Sequence, residues 1–212
     1  MIKVDNIDVY GLEYAVRAMR NPMNSWKRSD SGWGEKSNDL DSFDIGSEDM
    51  SLMRKLYNAG TEHRTYARMV YVWADVCAPL YWWKEMDRYT VGKAQVSTST
   101  MHKIHAKEFV LDDFSHEHLT VKAEKCLMNT IDTLNDYRHT YLHTKDKDMW
   151  WQLIQLLPSS YNQRRTICMS YEVVFKIIKE RTGHKLNEWN DFVRILKQLP
   201  YIKEIMEDGS ET

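Results

Sequence analysis

One arginine and a run of hydroxyl residues form the grouping with the clearest chemical meaning in this sequence. Arg88-Tyr89-Thr90 is followed by seven residues and then by Thr98-Ser99-Thr100. A guanidinium binds phosphate through charge-assisted hydrogen bonds, and the hydroxyls and free backbone amides of a loop can hold a phosphate or a ribose. The structural alternatives are that the hydroxyls close a turn and that Arg88 pairs with Glu85 one helical turn earlier.

Two further groupings have a structural interpretation that is more common than the functional one. Arg164 and Arg165 have the chemistry to bind phosphate, but paired arginines near a helix start are usually surface charges. The pairs Trp82-Trp83 and Trp150-Trp151 have flat rings that can stack on a planar ligand, yet we expect them in the core or in a subunit contact.

Motifs for metal binding and nucleophilic catalysis are missing from the sequence. It contains no Gly-rich phosphate loop, no Gly-x-Ser-x-Gly and no His-Glu-x-x-His. His116 and His118 flank Glu117, which makes a metal site conceivable, but a solvated loop explains these residues equally well. We therefore predict no metal site.

Size and composition are those of a globular protein with a sizeable core. The chain has 212 residues, 42% of them hydrophobic and 28% charged. The net charge of −2 provides no strong field for nucleic acid. Three cysteines without Cys-x-x-Cys spacing favour a reducing compartment. Because we find neither a signal sequence nor a long apolar run, we expect a cytoplasmic protein that contacts neither membrane nor nucleic acid.

Hydrophobic periodicity and breaker residues predict one α+β domain over residues 1–212. The candidate residues are flanked by a strand over 64–77, a helix from Pro79 to about Thr90, and a helix over 160–181 with an apolar stripe. Ser47 is predicted to cap a helix that ends before Gly60. The other predictions are an edge strand over 1–11, helices over 12–23, 119–142, 148–157 and 185–198, a mixed segment over 91–118, a polar loop over 24–46 and a frayed acidic tail over 207–212.

The order of these elements and the spacing of several motifs resemble the flavin-dependent thymidylate synthase family. That family has His-x-Thr before a strand, Ala-Pro at the start of the next helix, and then Arg-His-Arg, seven residues and Ser-x-Arg. Here His63-Arg64-Thr65 precedes the strand and Ala78-Pro79 opens the helix. The spacing from Arg88-Tyr89-Thr90 to Thr98-Ser99-Thr100 is the same as in the family, and the first arginine is retained.

The resemblance continues downstream and spans roughly residues 47–196. The family has Leu-Pro, then Asn-x-Arg on a helix, and an arginine eleven residues after the Asn that holds the nucleotide. Here Leu157-Pro158 precedes Ser170-Tyr171-Glu172, and Arg181 lies eleven residues after Ser170, about three helical turns away on the same face. Asn187 follows where the family has a Gln.

The resemblance implies an α+β fold with a mixed or antiparallel sheet and a helical bundle, assembled as a homotetramer. The family transfers a methylene group from methylenetetrahydrofolate to dUMP, with FAD as redox carrier and NADPH as electron source. The resemblance further implies a catalytic role for Arg181 and two sets of binding residues. The set for FAD is His63, Thr65, Arg88, Tyr89, Thr90, Ser170 and Asn187, and the set for the nucleotide is Glu85, Thr98, Ser99, Thr100 and Arg181.

Several positions differ in charge from the family pattern. Thr90, Thr100 and Glu172 stand where the family has arginine, Tyr89 replaces a histidine, and Glu85 replaces a glutamine. Because the family mechanism is electrostatic, the two carboxylates predict that a dianionic nucleotide is disfavoured in the family's pose. Three hypotheses stay open: an enzyme that binds FAD and a pyrimidine nucleotide, a non-catalytic relative that keeps the oligomeric fold and binds a nucleotide or a protein partner, and an unrelated interaction protein.

Overall fold

The structure, a computed structural model, describes residues 2–34 and 42–207 and confirms the predicted α+β class. The strands are β1 Lys3–Tyr10, β2 Gly32–Trp33, β3 Phe43–Asp44, β4 Tyr71–Pro79, β5 Lys93–Ser97 and β6 Asn162–Ser170. The helices are α1 Leu12–Met19, α2 Ser47–Asn58, α3 Leu80–Met86, α4 Val121–Thr144, α5 Lys147–Leu156, α6 Tyr171–Arg181, α7 Asn187–Leu196 and α8 Ile202–Met206.

Two sheets are built from these strands. The larger has the strand order β1-β4-β6-β5, and β2 pairs with β3 in an antiparallel ladder that sets Gly32 opposite Asp44. The ladder and a short 3-10 turn at Trp26–Arg28 lie within the segment 24–46, which the sequence predicts as a polar loop. Apart from Glu207, the predicted frayed tail lies outside the described residues.

The predicted helix over 160–181 is wrong in its first half, because residues Asn162–Ser170 form strand β6. Only the second half is helical, as α6. Alternate positions of β6 turn inward, but two of them are the polar residues Gln163 and Arg165, so the period-2 pattern of a strand is hidden. Ile167 continues the apolar stripe of α6 in the sequence, which made one long helix plausible.

The strand and helix before the Arg88 motif are shorter than predicted. Residues Thr65–Arg68 form a 3-10 turn, so β4 begins only at Tyr71. Pro79 has extended backbone and is the N-cap of α3 rather than its first residue. The helix ends at Met86 rather than near Thr90, because the chain turns toward β5 through Gly92, which has a φ of +77°.

Helix α2 begins at Ser47 itself, and its cap comes from outside the helix. The Asp30 carboxylate accepts hydrogen bonds from the backbone amides of Glu48 and Asp49 at 2.9 and 3.0 Å. These amides have no partner within the helix, so a carboxylate at this end stabilises it. At the other end, Gly60 follows the C-cap with a φ of +110°, as predicted.

The chain divides into two compact units, and the expectation of a single domain stays a prediction. The first unit comprises the described parts of 1–5, 75–88 and 95–166. Its core lies along α4 and α5, which pack against each other. Trp82 and Trp83 are fully buried, which confirms their interpretation as core residues.

The second unit comprises the described parts of 6–74, 89–94 and 167–212. Helix α6 packs against α7 and against the 3-10 turn Thr65–Arg68, while α2 packs against α8. Trp189, Tyr171 and Phe175 are buried almost completely and fill the space around α6. Among the helices described, none combines the length and apolar character that crossing a membrane requires.

Candidate functional site

Arg181 ends α6 in the second unit, and several contacts hold its guanidinium in place. Its Nε donates a hydrogen bond to the Tyr89 hydroxyl at 2.9 Å, and its Nη1 lies 3.1 Å from His184 Nε2. The guanidinium carbon lies 4.5 Å from the centre of the Trp189 ring, a cation–π distance. The side chain is partly exposed, so the structure presents a positive charge with a fixed orientation.

Tyr89 is a positioning residue for Arg181 in this geometry. Its side chain is 5% exposed, and its hydroxyl donates to Glu180 Oε2 at 2.9 Å while it accepts from Arg181. Burial raises the pKa of Tyr89 above its ordinary value, although the hydrogen bond from Arg181 opposes that shift. Stacking of Tyr89 on a flavin, which the family position of this residue suggested, would require its ring to be uncovered.

Ser170 joins the N-terminus of α6 to the turn that follows Tyr89. The residue is 2% exposed, and its backbone amide donates to the Gly92 carbonyl at 2.9 Å. A Cβ at Gly92 would lie 2.9 Å from Ser170 Oγ, so a side chain there would force a shift. The close approach fixes the turn Thr90–Gly92 against α6, with Thr90 itself exposed.

Two of the family-like motifs meet through an ion pair in the second unit. Arg64 Nε lies 3.4 Å from Glu172 Oε2, and the two side chains are 17% and 18% exposed. The Arg64 guanidinium also lies 5.0 Å from the centre of the Tyr57 ring. His63 and Thr65, on either side of Arg64, are exposed beside this pair. The His-x-Thr segment and the start of α6 are therefore one local structure.

The predicted nucleotide loop Thr98-Ser99-Thr100 is a turn in the first unit. Ser99 Oγ accepts hydrogen bonds from the amides of Met101 and His102 at 3.2 and 2.8 Å. The Thr98 amide donates to the Arg164 carbonyl at 2.9 Å. The Ser99 contacts favour the turn interpretation, while the Thr98 bond continues the pairing of β5 with β6. Thr98 and Ser99 are exposed, while Thr100 is partly buried.

Three other predicted residues are placed at the ends of helices. Arg88 is exposed just after α3 and Glu85 is half-buried within it, both in the first unit. The Arg88 backbone amide donates to the Glu85 carbonyl at 3.2 Å. Asn187 is exposed at the first position of α7 in the second unit.

Arg165 is not the surface charge that the sequence suggested. Its side chain is 12% exposed, and its Nη1 donates to Asp87 at 2.7 Å. Its guanidinium stacks 4.2 Å above the centre of the Trp83 ring. Arg164, the next residue on β6, is 53% exposed and pairs with Asp75 at 2.7 Å, as expected for a surface arginine. Because successive side chains of a strand point to opposite faces of the sheet, Arg164 and Arg165 differ in their surroundings.

The sequence did not single out Glu180, His184 and Trp189, which surround Tyr89 and Arg181. Glu180 precedes Arg181 on α6, His184 follows it by three residues, and Trp189 lies on α7. This closeness to Arg181 in the sequence was the signal that could have identified them. Within the described ranges, no three His, Cys, Asp or Glu side chains are grouped so that they could hold a metal ion.

The exposed members of the predicted flavin set in the second unit fit the polar part of FAD by their chemistry. His63, Thr65, Thr90 and Asn187 offer an imidazole, two hydroxyls and an amide, which can bond ribityl and phosphate oxygens. Tyr89 and Ser170, which also belong to the predicted flavin set, are buried, and their contacts are with Arg181 and with the turn Thr90–Gly92.

Comparison with known proteins gives a match in structure alone. No family model and no curated protein matches the sequence. Thymidylate synthase X (ThyX) from Helicobacter pylori, solved with FAD and dUMP, superposes with a TM-score of 0.67 at 15% identity, over 98% of this chain and 100% of that one. A second Helicobacter pylori ThyX structure, complexed with FAD and dUMP, gives 0.65 at 17% identity over 92% and 91% of the two chains.

A solved structure of a differently named enzyme also matches. The UMP/dUMP methylase PolB from Streptomyces cacaoi, bound with 5-Br UMP, superposes with a TM-score of 0.62 at 11% identity, over 93% of this chain and 87% of that one. The identities are low, so the likeness concerns the arrangement of helices and strands. The chain has the fold of the flavin-dependent thymidylate synthases.

Proposed function

We propose that this protein binds FAD and a pyrimidine nucleotide of the dUMP type, with Arg181 as the residue that holds the nucleotide. The observation that carries the proposal is the fixed guanidinium of Arg181, held by Tyr89 and stacked on Trp189. A cation that is already ordered loses little conformational entropy when an anion binds to it. The fold supports the choice of ligands, because its solved neighbours are complexes with FAD and dUMP.

In this proposal the chain's own residues bind and orient. Arg181 pairs with negative charge on the nucleotide and stabilises charge that develops during a reaction. Tyr89 keeps the guanidinium in place, and His63, Thr65, Thr90 and Asn187 bond polar groups of the flavin. When bound, FAD supplies the redox chemistry.

The finer form of the proposal is dUMP-type methyl transfer, with methylenetetrahydrofolate as carbon donor and NADPH as electron source. It further includes assembly as a homotetramer, which light scattering of the purified protein tests. Oxidation of NADPH that requires both dUMP and the folate would establish the activity. A protein that binds dUMP without any such oxidation would leave the binding proposal intact and remove the catalytic one.

A non-catalytic relative is the second candidate, and one observation favours it. Thr90, Thr100 and Glu172 stand where the family has arginine, and Arg64 is engaged with Glu172 rather than supplying additional free charge. The result is less positive charge for the reacting groups than the family mechanism uses. This candidate predicts binding of a nucleotide or a protein partner by an oligomer that has no turnover.

The experiment that tests the binding proposal is a calorimetric titration of the FAD-loaded protein with dUMP. Replacing Arg181 by Ala removes one charged hydrogen-bonding group, which should weaken binding by about 10- to 100-fold. The matched control is Arg194→Ala, since Arg194 is an exposed arginine of α7 paired with Asp191. Equal affinity of the two variants would refute the role of Arg181.

A further inference from the structure

A cavity of about 300 Å³ in the second unit contains none of the residues assigned to flavin or nucleotide. It lies beside α1, the 3-10 turn Trp26–Arg28 and the ladder of β2 and β3. Its size is at the lower end of the range for small-molecule sites. Aromatic side chains form much of its wall, and two arginines contribute charge. The lining residues that matter here are Trp26, Trp33, Phe43, Arg17, Arg20 and Glu13.

Arg20 is the polar group that gives this cavity a chemical preference. The residue is 3% exposed, and its Nε donates to Asp49 Oδ1 at 2.6 Å. Its Nη2 is buried and has no hydrogen-bond partner in the part of the chain that the structure describes. Leaving a buried donor of a charged group unpaired is unfavourable, so an acceptor atom supplied by a ligand would be stabilised here.

Asp49 does not satisfy the remaining Arg20 donor, because its hydrogen bonds go to Arg20 Nε and to other groups. Its Oδ2 accepts hydrogen bonds from Ser29 Oγ at 2.6 Å, from Ser31 Oγ at 2.7 Å and from the Asp30 amide at 3.1 Å. The carboxylate is fully buried in this network. The position of Arg20 is therefore fixed from behind, by contacts that do not involve its Nη2.

The aromatic wall is suited to a flat ring. Trp26 and Trp33 are 48% and 55% exposed, unusually high for such large apolar side chains. The Trp33 ring meets Phe43 edge to face, with centroids 5.5 Å apart. A hydrogen bond from Trp26 Nε1 to Asn21 Oδ1 at 2.8 Å fixes the other indole. A ring packed against these residues would cover apolar surface that is now exposed.

We propose that this cavity binds a small aromatic carboxylate, with the ring against Trp26 and Trp33 and the carboxylate on Arg20 Nη2. The charges favour a monoanion over a dianion such as a phosphate ester, because Glu13 and Asp49 offset Arg17 and Arg20. The site is independent of the FAD and nucleotide proposal, since the two share no residue.

The test uses benzoate as probe and benzyl alcohol as its neutral match, with binding followed by saturation-transfer NMR on the full chain. Benzoate should bind saturably, and benzyl alcohol at least about tenfold more weakly, because it lacks the charge that Arg20 recognises. Trp33→Ala and Trp26→Ala should each weaken benzoate binding at least about threefold. Both residues are exposed enough that the fold should persist.

The matched control is Trp73→Ala. Trp73 lies on β4, is 47% exposed and does not line the cavity. This substitution should leave the affinity for benzoate unchanged. The proposal is overturned if benzoate fails to saturate up to its solubility limit. It is equally overturned if benzyl alcohol binds as tightly as benzoate, or if Trp33→Ala and Trp26→Ala behave like Trp73→Ala.

Discussion

Arg64 and Glu172 form a largely buried ion pair between two segments that carry family-like motifs, with 3.4 Å between Nε and Oε2. The family pattern has an arginine at the position of Glu172, and here a positive charge stands instead in the middle of the His-x-Thr segment. Since Arg64 neutralises Glu172, this carboxylate repels a bound anion less than the sequence suggested. Glu172 is thus paired with a cation of the protein itself.

The first prediction concerns the stability that this pair contributes. Glu172→Gln leaves the guanidinium of Arg64 largely buried without its counter-charge, which should lower the free energy of unfolding by about 1–3 kcal/mol. Asp191→Asn is the control, because Asp191 pairs with Arg194 at 2.9 Å on an exposed surface. That change should cost less than about 0.5 kcal/mol. Urea unfolding of both variants measures the difference. Equal losses of unfolding free energy would show that the Arg64–Glu172 pair contributes no more stability than the exposed pair.

The second prediction separates the positioning of Arg181 from its charge. Tyr89→Phe removes the hydroxyl that accepts from Arg181 and donates to Glu180, while the ring stays in the core. The guanidinium becomes more mobile, so dUMP affinity should fall by about 3- to 10-fold. Circular dichroism should report an unchanged fold.

A control for Tyr89→Phe comes from an exposed tyrosine. Tyr10→Phe removes a hydroxyl at a residue of β1 that is 62% exposed. It should leave dUMP affinity unchanged. If Tyr89→Phe also binds dUMP like the unmodified protein, either Arg181 does not hold the nucleotide or its orientation does not matter.

The part of the fold that could be predicted from the sequence is the part with regular apolar patterning. Helices α4 and α7 were placed within a few residues, because their apolar stripes and breakers are clear. Strand β6 was missed because Gln163 and Arg165 occupy inward positions where a strand normally has apolar residues. The hydrogen bond between Arg165 and Gln163 and the stacking of Arg165 on Trp83 offset the cost of burying these polar groups. Such contacts cannot be predicted from the local sequence.

The third prediction follows from Asp30 at the N-terminus of α2. Burial alone would raise its pKa, but hydrogen bonds from the amides of Glu48 and Asp49 and from the Ser47 hydroxyl lower it below its ordinary value of 3.8. A carboxyl with a lowered pKa in the folded state stabilises the fold above its unfolded pKa. That stabilisation is lost as the pH falls through the folded pKa.

Asp30→Ala should therefore lower the free energy of unfolding by about 1 kcal/mol at neutral pH. The difference from the unmodified protein should shrink as the pH is lowered below about 4. Thermal unfolding at several pH values measures it, with Asp132→Ala on the exposed face of α4 as control. A difference that is the same at every pH would mean that Asp30 does not act through its charge.

The fourth prediction uses the two neighbouring arginines of β6. Arg165→Met removes hydrogen bonds to Asp87 and Gln163 and the stacking on Trp83, which should cost about 2 kcal/mol of stability. Arg164→Met changes an exposed position and should cost less stability than Arg165→Met. Urea unfolding of the two variants measures the difference. A larger effect at Arg164 would reverse the assignment of which arginine is structural.

The candidate site could be predicted only in outline. The spacing of Arg88, Ser170 and Arg181 indicated the right fold, because spacing follows from the lengths of strands and helices. The contacts of Tyr89 and the pairing of Arg64 with Glu172 depend on residues distant in the sequence. Local sequence patterns do not reveal such contacts, so from the sequence alone Glu172 was treated as a negative charge without a partner.

The visible absorption spectrum tests the central claim most directly, namely that this fold binds FAD and a pyrimidine nucleotide. The purified protein is incubated with FAD, the excess is removed, and the spectrum is recorded before and after dUMP is added. We expect a retained flavin band that dUMP perturbs, because a nucleotide bound close to the flavin changes the surroundings of its ring. A colourless protein after removal of free FAD would contradict the account.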